Sequence, residues 1–85
     1  MNRNEILERL KEIFRTALPD KAEVMDSIDE NSDLRTQVGL NSIGMICMVI
    51  MIEETFSVQF DDVGFNDFIT VKDVVDYIKN RSKGE

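Results

Sequence analysis

The sequence predicts an all-α domain, a small helical bundle of three main helices plus one short helix, with a long loop between the first and second helices. Glycine and proline are scarce, four and one in 85 residues, which argues against turn-rich β-architecture. Two stretches space their apolar residues as one face of a helix requires, and between them an apolar run follows a capping pair, Asn41 and Ser42. The single strand-like alternation, Ser57-Val58-Gln59-Phe60, has no second run to pair with and reads as extended loop. A chain this short hides about 60% of the surface that its unfolded form exposes, so one domain over residues 1–85 is expected.

Helix one is expected over residues 3–17. Ile6, Leu10, Ile13, Phe14, Ala17 and Leu18 recur at helical spacing, and Asn2 with Glu5 three residues on suits an N-terminus. Pro19 disfavours helical geometry at Leu18 and closes the element. Residues 19–41 are rich in Asp, Asn, Ser and Gly but hold Val24, Met25, Ile28, Leu34, Val38 and Leu40, the pattern of a long loop pinned to a core. Asn41 and Ser42 can cap a second helix running to about Thr55. Its section from Met45 to Ile52 is apolar around the whole circumference, more than so small a domain can bury, so part of it should meet a partner. A short helical turn within residues 61–68 would lay Phe65 or Phe68 on the core. Thr70 with Asp73 resembles a capping box, and Val71, Val74, Val75 and Ile78 form the stripe of a last helix over residues 71–81.

Composition excludes several function classes. The one cysteine, Cys47, permits neither an intramolecular disulfide nor a cysteine metal cage. Within an apolar helix it reads as a small hydrophobe. Histidine is absent, which removes the usual general base and any Ser-His or Cys-His pair. The longest apolar run, Met45 to Ile52, is eight residues, against roughly 20 for a membrane span. The N-terminus enters a charged amphipathic pattern without a secretory signal, so a cytoplasmic location is expected. A net charge of −7 repels nucleic acid and anionic lipid. Each end of the chain carries a small positive excess, whereas no lysine or arginine occurs between Arg35 and Lys72. That middle stretch offers a partner only acidic and apolar surface.

A calcium loop is suggested by Asp29, Asn31 and Asp33 but fails, because its sixth place is Leu34 instead of Gly and its twelfth is Leu40 instead of Glu. No metal site is expected. Ser42 taken alone reads first as a helix cap, as a serine in such a place most often is. It gains meaning from its surroundings: Gly39-Leu40-Asn41-Ser42-Ile43 at a helix start, Glu53-Glu54-Thr55-Phe56-Ser57-Val58 at the end of that helix, and Thr70-Val71-Lys72-Asp73-Val74-Val75-Asp76-Tyr77-Ile78 in the last. In this order and spacing they resemble the acyl carrier protein family over nearly the entire chain. The family's signature is Gly, any residue, then Asp-Ser-Leu.

The resemblance implies a non-catalytic carrier. Ser42 would take 4′-phosphopantetheine from coenzyme A through a separate phosphopantetheinyl transferase, flanked by Gly39, Asn41 and Ile43, and the arm's thiol would carry acyl groups in fatty acid, polyketide or related acyl-lipid synthesis. The missing histidine is then no objection, since the transferase supplies the activation. The position also suits a phosphodiester, because a helix N-terminus presents free N–H donors and a partial positive charge. Partners would be the transferase and acyltransferases or synthases with basic and apolar docking patches, meeting a monomer. Glu53, Glu54, Asp61 and Asp62 are candidates for the charged contacts. Met45, Met48 and Met51 are candidates for the apolar ones. Acyl cargo is expected between helix two and the last helices, against Ile46, Ile50, Val63, Phe68 and Val74.

The chain departs from the family pattern at Asn41, which stands where aspartate precedes the serine. Gly44 and Cys47 stand where acids often occur, as do Thr36 and Gln37 ahead of Gly39. These changes point to slower or more selective modification and to a less charged recognition surface. An aminoacyl or peptidyl carrier shares the fold and the serine. A reading of another class is an unmodified helical interaction module.

Overall fold

A computed structural model of the chain describes residues 2–60 and 67–81. α1 spans Arg3–Ala17, α2 spans Ser42–Phe56 and α3 spans Val71–Arg81. The first and third match the expected limits, and the second runs one residue beyond its own. Asn2 caps α1, its side-chain oxygen accepting from the Glu5 amide at 2.8 Å. Leu18 leaves helical geometry at φ −131, ψ 67 ahead of Pro19, while its amide still donates to the Phe14 carbonyl at 2.8 Å. α2 ends on Ser57, whose φ of 57 turns the chain into the left-handed region and redirects it into the extended residues 57–60.

The loop from 19 to 41 has more structure than its composition suggests. Two 3₁₀ turns lie at Pro19–Lys21 and Val24–Ser27. A further turn starts at Asp33, whose carboxylate accepts from the Arg35 and Thr36 amides, each at 2.8 Å. Gly39, at φ 93, ends that turn and lets the Leu40 amide reach back to the Leu34 carbonyl at 2.9 Å. Glycine adopts this backbone without the Cβ clash that other residues meet.

The loop is fastened to the start of α3. The first amides of a helix have no partner inside it. Here Val71 donates to the Ser32 carbonyl at 3.0 Å and Lys72 to Glu30 at 2.7 Å, while Leu34 donates to Ile69 at 2.9 Å. The expected capping box is present. The Asp73 carboxylate accepts from the Ile69 and Thr70 amides at 2.8 and 3.0 Å, and Thr70 Oγ1 accepts from the Asp73 amide at 3.4 Å. Arg3 adds a tie from α1, bonding to Glu30 in the loop and to Asp76 on α3, the second at 2.7 Å.

α1 lies against both other helices and supplies Ile6, Leu10, Ile13 and Phe14 to the core. The loop adds Met25, Ile28, Leu34, Val38 and Leu40, and α3 adds Val71, Val74, Val75 and Ile78. Val24, grouped with the pinned residues, is instead 45% exposed. The expected short helix falls mostly on residues 61–66, outside the described residues, as does Phe65. Among the described residues the α-helices number three, not the four of a four-helix bundle. Phe68 is buried. Its ring meets Phe60 and Tyr77 edge to face, with centroids 5.6 and 5.7 Å apart, and Phe60 stacks on Tyr77 at 4.6 Å. The Tyr77 hydroxyl donates to the Gln59 carbonyl at 2.8 Å, holding the strand-like segment against α3.

Two carboxylates make this arrangement sensitive to acid. Asp33 is held below the usual aspartate value of 3.8 by the Thr36 amide first and the Arg35 amide next. Asp76 is held below it by Lys72 and then Arg3. A lowered folded value contributes stability that is present above the unfolded value and lost as pH falls through the folded one. Melting temperature is therefore expected to fall on acidification below about pH 4. Thermal melts of Asp33→Asn and Asp76→Asn should show a shallower fall there, and an unchanged slope in both would rule these groups out.

Candidate functional site

α2 is apolar on every side, so packing decides which residues face out. Met45, Met48, Val49, Ile52 and Phe56 are buried, whereas Ile43, Ile46 and Ile50 are 73%, 43% and 51% exposed. This corrects the expectation for two methionines. Met45 and Met48 point into the core and present nothing to a partner. Met51 is half-buried and lines a recess of about 250 Å³ with Arg9, Glu12, Ile13, Thr16 and Thr55. The outward apolar side chains are isoleucines, and Cys47 lies exposed with them instead of filling the core. Spaced at 43, 46, 47 and 50, they form one stripe down the helix from its first turn.

At the head of that stripe the two candidate caps separate. The Asn41 side-chain oxygen accepts from the Gly44 amide at 2.8 Å, and its carbonyl accepts from Met45 at 2.8 Å. Asn41 is thus the N-cap and Ser42 is the exposed first residue of the helix. The Ser42 hydroxyl has no hydrogen-bond partner among the described residues, and neither do the amides of Ser42 and Ile43. A Cβ at Gly44 would stand 3.1 Å from Leu40 Cδ2 and 3.4 Å from the capping oxygen, so a small residue fits closely there. Three residues before the serine, a Cβ on Gly39 would lie 2.2 Å from Lys21 Nζ. The ammonium group occupies the space that a side chain would fill.

The other candidates are more dispersed. The Glu53 carboxylate accepts from the Phe60 amide at 3.1 Å and so also shapes the chain after α2, while Glu54 is exposed. Asp61, Asp62 and Val63 lie outside the described residues. The described cargo residues do not share one cavity: Ile46 and Ile50 project outward, Val74 is fully buried, and Phe68 lines a recess of about 230 Å³ with Asp33, Arg35 and Ile69. Asp29 and Asp33 spend carboxylate oxygens on local amides, Asp29 accepting from Asn31 at 2.9 Å.

Residues 8–78 match the family model described as a phosphopantetheine attachment site. The acyl carrier protein of Coprothermobacter proteolyticus is 31% identical over 80 residues, covering 94% of each chain. The chain belongs to the acyl carrier protein family. The acyl carrier protein of Thermosynechococcus vestitus is 32% identical over 82 residues, 95% of this chain and 96% of that one. Acyl carrier protein 3 of Ralstonia nicotianae is 30% identical over 79 residues, 93% and 87% of the two. As an acyl carrier, this protein works through a covalently attached 4′-phosphopantetheine. The donor set at the start of α2 fits that group: an exposed hydroxyl for the ester, and two amides without a partner among the described residues for the phosphate.

Sequence reasoning did not single out Lys21, and it set Ile43 beside the serine and Ile46 and Ile50 against the cargo instead of on one outward stripe. Lys21 lies far from Ser42 in the chain, and only the closing of the loop brings it over Gly39.

Proposed function

We propose that Ser42 is the attachment residue and that the chain serves fatty acid or related acyl-lipid synthesis. The observation that carries this reading is the freedom of Ser42. The residue most open to a structural explanation is relieved of it by Asn41, leaving an unengaged hydroxyl at a helix N-terminus. The arm, when bound, supplies a thiol that holds acyl groups as thioesters. The chain's own residues anchor it, favour its phosphate electrostatically and present a docking face to the enzymes it visits. Incubation with coenzyme A and a phosphopantetheinyl transferase should raise the intact mass by one phosphopantetheine, on the peptide containing Ser42. No gain with several transferases would overturn the reading.

The outward face of α2 is the proposed docking surface, with Ile43, Ile46 and Ile50 giving apolar contact and Glu54 a charge at its far end. Contact there depends more on burying apolar area than on ion pairing, since no acid occurs between Asp33 and Glu53. Cargo placement against Phe68 and Val74 would require the bundle to open around side chains that are now buried.

Asn41 bears on the transferase. Asp caps a helix as well as Asn does, and a negative charge in the first turn adds about 0.3–1 kcal/mol. Asn41→Asp is therefore expected to keep or slightly raise the melting temperature and to speed modification by a transferase that uses the family's aspartate. A mass time course checks it; an unchanged rate would show that this position does not set the pace.

A further inference from the structure

We infer that the transferase loading Ser42 is one that docks on α2 through an uncharged apolar groove, and that Ile43, Ile46, Cys47 and Ile50 select it against transferases with a basic docking patch; this names the partner of the Ser42 site and rests on Ser42 being the attachment residue. An enzyme that reaches the Ser42 hydroxyl must cover the first turn of α2, because Ser42 is the exposed first residue of the helix. The stripe begins at the next residue and continues along one face for about 10 Å, at roughly 1.5 Å of rise per residue. Five large apolar side chains stay exposed among the described residues, and three of them, Ile43, Ile46 and Ile50, lie on this face. The apolar surface left open to water is thus gathered where that enzyme must land.

The charge around the stripe narrows the kind of enzyme. Although the chain carries −7, residues 34–52 contain no Asp or Glu, and Arg35 is their one charged residue. The acids that bound this stretch are bonded locally: Asp33 accepts from the Arg35 and Thr36 amides, and Glu53 accepts from the Phe60 amide at 3.1 Å. Glu54, four residues beyond Ile50 on the same face, is exposed. A basic patch seated over the first two turns would bury lysine or arginine against isoleucine without a carboxylate to pair, and that desolvation cost turns such an enzyme away. An apolar groove gains instead by taking the isoleucines out of water. So short a stripe makes a small contact of the transient class, which suits an enzyme that must leave once the arm is attached.

The test measures loading of the chain by two phosphopantetheinyl transferases of known structure, one with a basic docking face and one with an apolar face. Salt is set at about 0.1 M and about 1 M, where the Debye length falls from about 10 to about 3 Å. Wild type is compared with Ile46→Ala combined with Ile50→Ala, with Cys47→Glu, and with Cys47→Ser as the neutral control, each shown to melt as wild type does. Wild type is expected to have the lower KM with the apolar-faced enzyme, and that KM should change less than about twofold with salt. The double isoleucine variant should raise it about tenfold at unchanged kcat. Cys47→Glu should lower the KM of the basic-faced enzyme at low salt alone, while Cys47→Ser leaves both enzymes as they were. Equal KM for wild type and the double isoleucine variant, a lower wild-type KM for the basic-faced enzyme, or a wild-type KM as salt-dependent as that of Cys47→Glu would overturn the apolar docking and leave Ser42 in place. Mass gained on a peptide without Ser42, or none from either enzyme, would overturn the Ser42 reading itself.

Discussion

Ser42→Ala is expected to abolish phosphopantetheine attachment completely while leaving the fold unchanged. The effect on loading is all or none, because on the proposed attachment the hydroxyl oxygen would become the ester oxygen and alanine offers no substitute. The effect on stability should stay within about 0.5 kcal/mol, the usual range for a surface change that removes no engaged group. Asn41 holds the cap through the Gly44 amide, and the Ser42 hydroxyl bonds to nothing among the described residues. Alanine is, if anything, the better helix former. Intact mass after incubation with transferase and coenzyme A reads the first effect, and thermal or denaturant unfolding reads the second. A variant that still gains the arm would move the attachment elsewhere. A variant destabilised by much more than 1 kcal/mol would mean that the serine shares the cap after all.

Met48→Ala is expected to destabilise the fold strongly. The side chain is fully buried in the core, and truncating a buried methionine costs about 2–5 kcal/mol through lost transfer energy and the cavity left behind. Domains of this kind have roughly 5–15 kcal/mol in total, so a substantial part of the molecule's stability would go. Ile46→Ala, two residues earlier, removes a side chain 43% exposed and should change stability little. The two variants therefore separate in opposite directions. Met48→Ala lowers the denaturant midpoint but, where still folded, presents an intact docking face. Ile46→Ala keeps the midpoint and weakens binding to an acyl-processing partner. A loss of partner binding in Met48→Ala at full folding, with none in Ile46→Ala, would return the docking role to the methionine side.

The contrast between those residues also shows how far sequence alone could reach. α1 and α3 were legible to the residue because each has a polar face, a clear apolar stripe and a capping pair, Asn2 with Glu5 and Thr70 with Asp73. α2 was legible as a helix but not in rotation. With apolar residues all around, its periodicity carries no phase, and only the fit against α1 and the loop shows that Met45 and Met48 turn in and Ile43, Ile46 and Ile50 turn out. The 3₁₀ turns at Pro19–Lys21 and Val24–Ser27 are too short to leave a period. The bonds from Val71 and Lys72 to Ser32 and Glu30 run backbone to backbone, so no side chain announces them. At the site, Ser42 could be found from its flanking motif. Its release from capping, and the approach of Lys21 to Gly39, depend on tertiary closure.

The stacking of Phe60 on Tyr77 gives the protein a built-in optical probe. There is no tryptophan and only one tyrosine, so near-ultraviolet emission comes almost wholly from the ring that links α3 to the segment after α2. Its hydroxyl donates to the Gln59 carbonyl, a contact that drains the excited state of a phenol. Any event that pries the end of α2 from α3, such as the entry of a long acyl chain near Phe68, would break that contact and brighten the signal. Loading could then be followed in real time on the unlabelled chain, with no dye and no added chromophore.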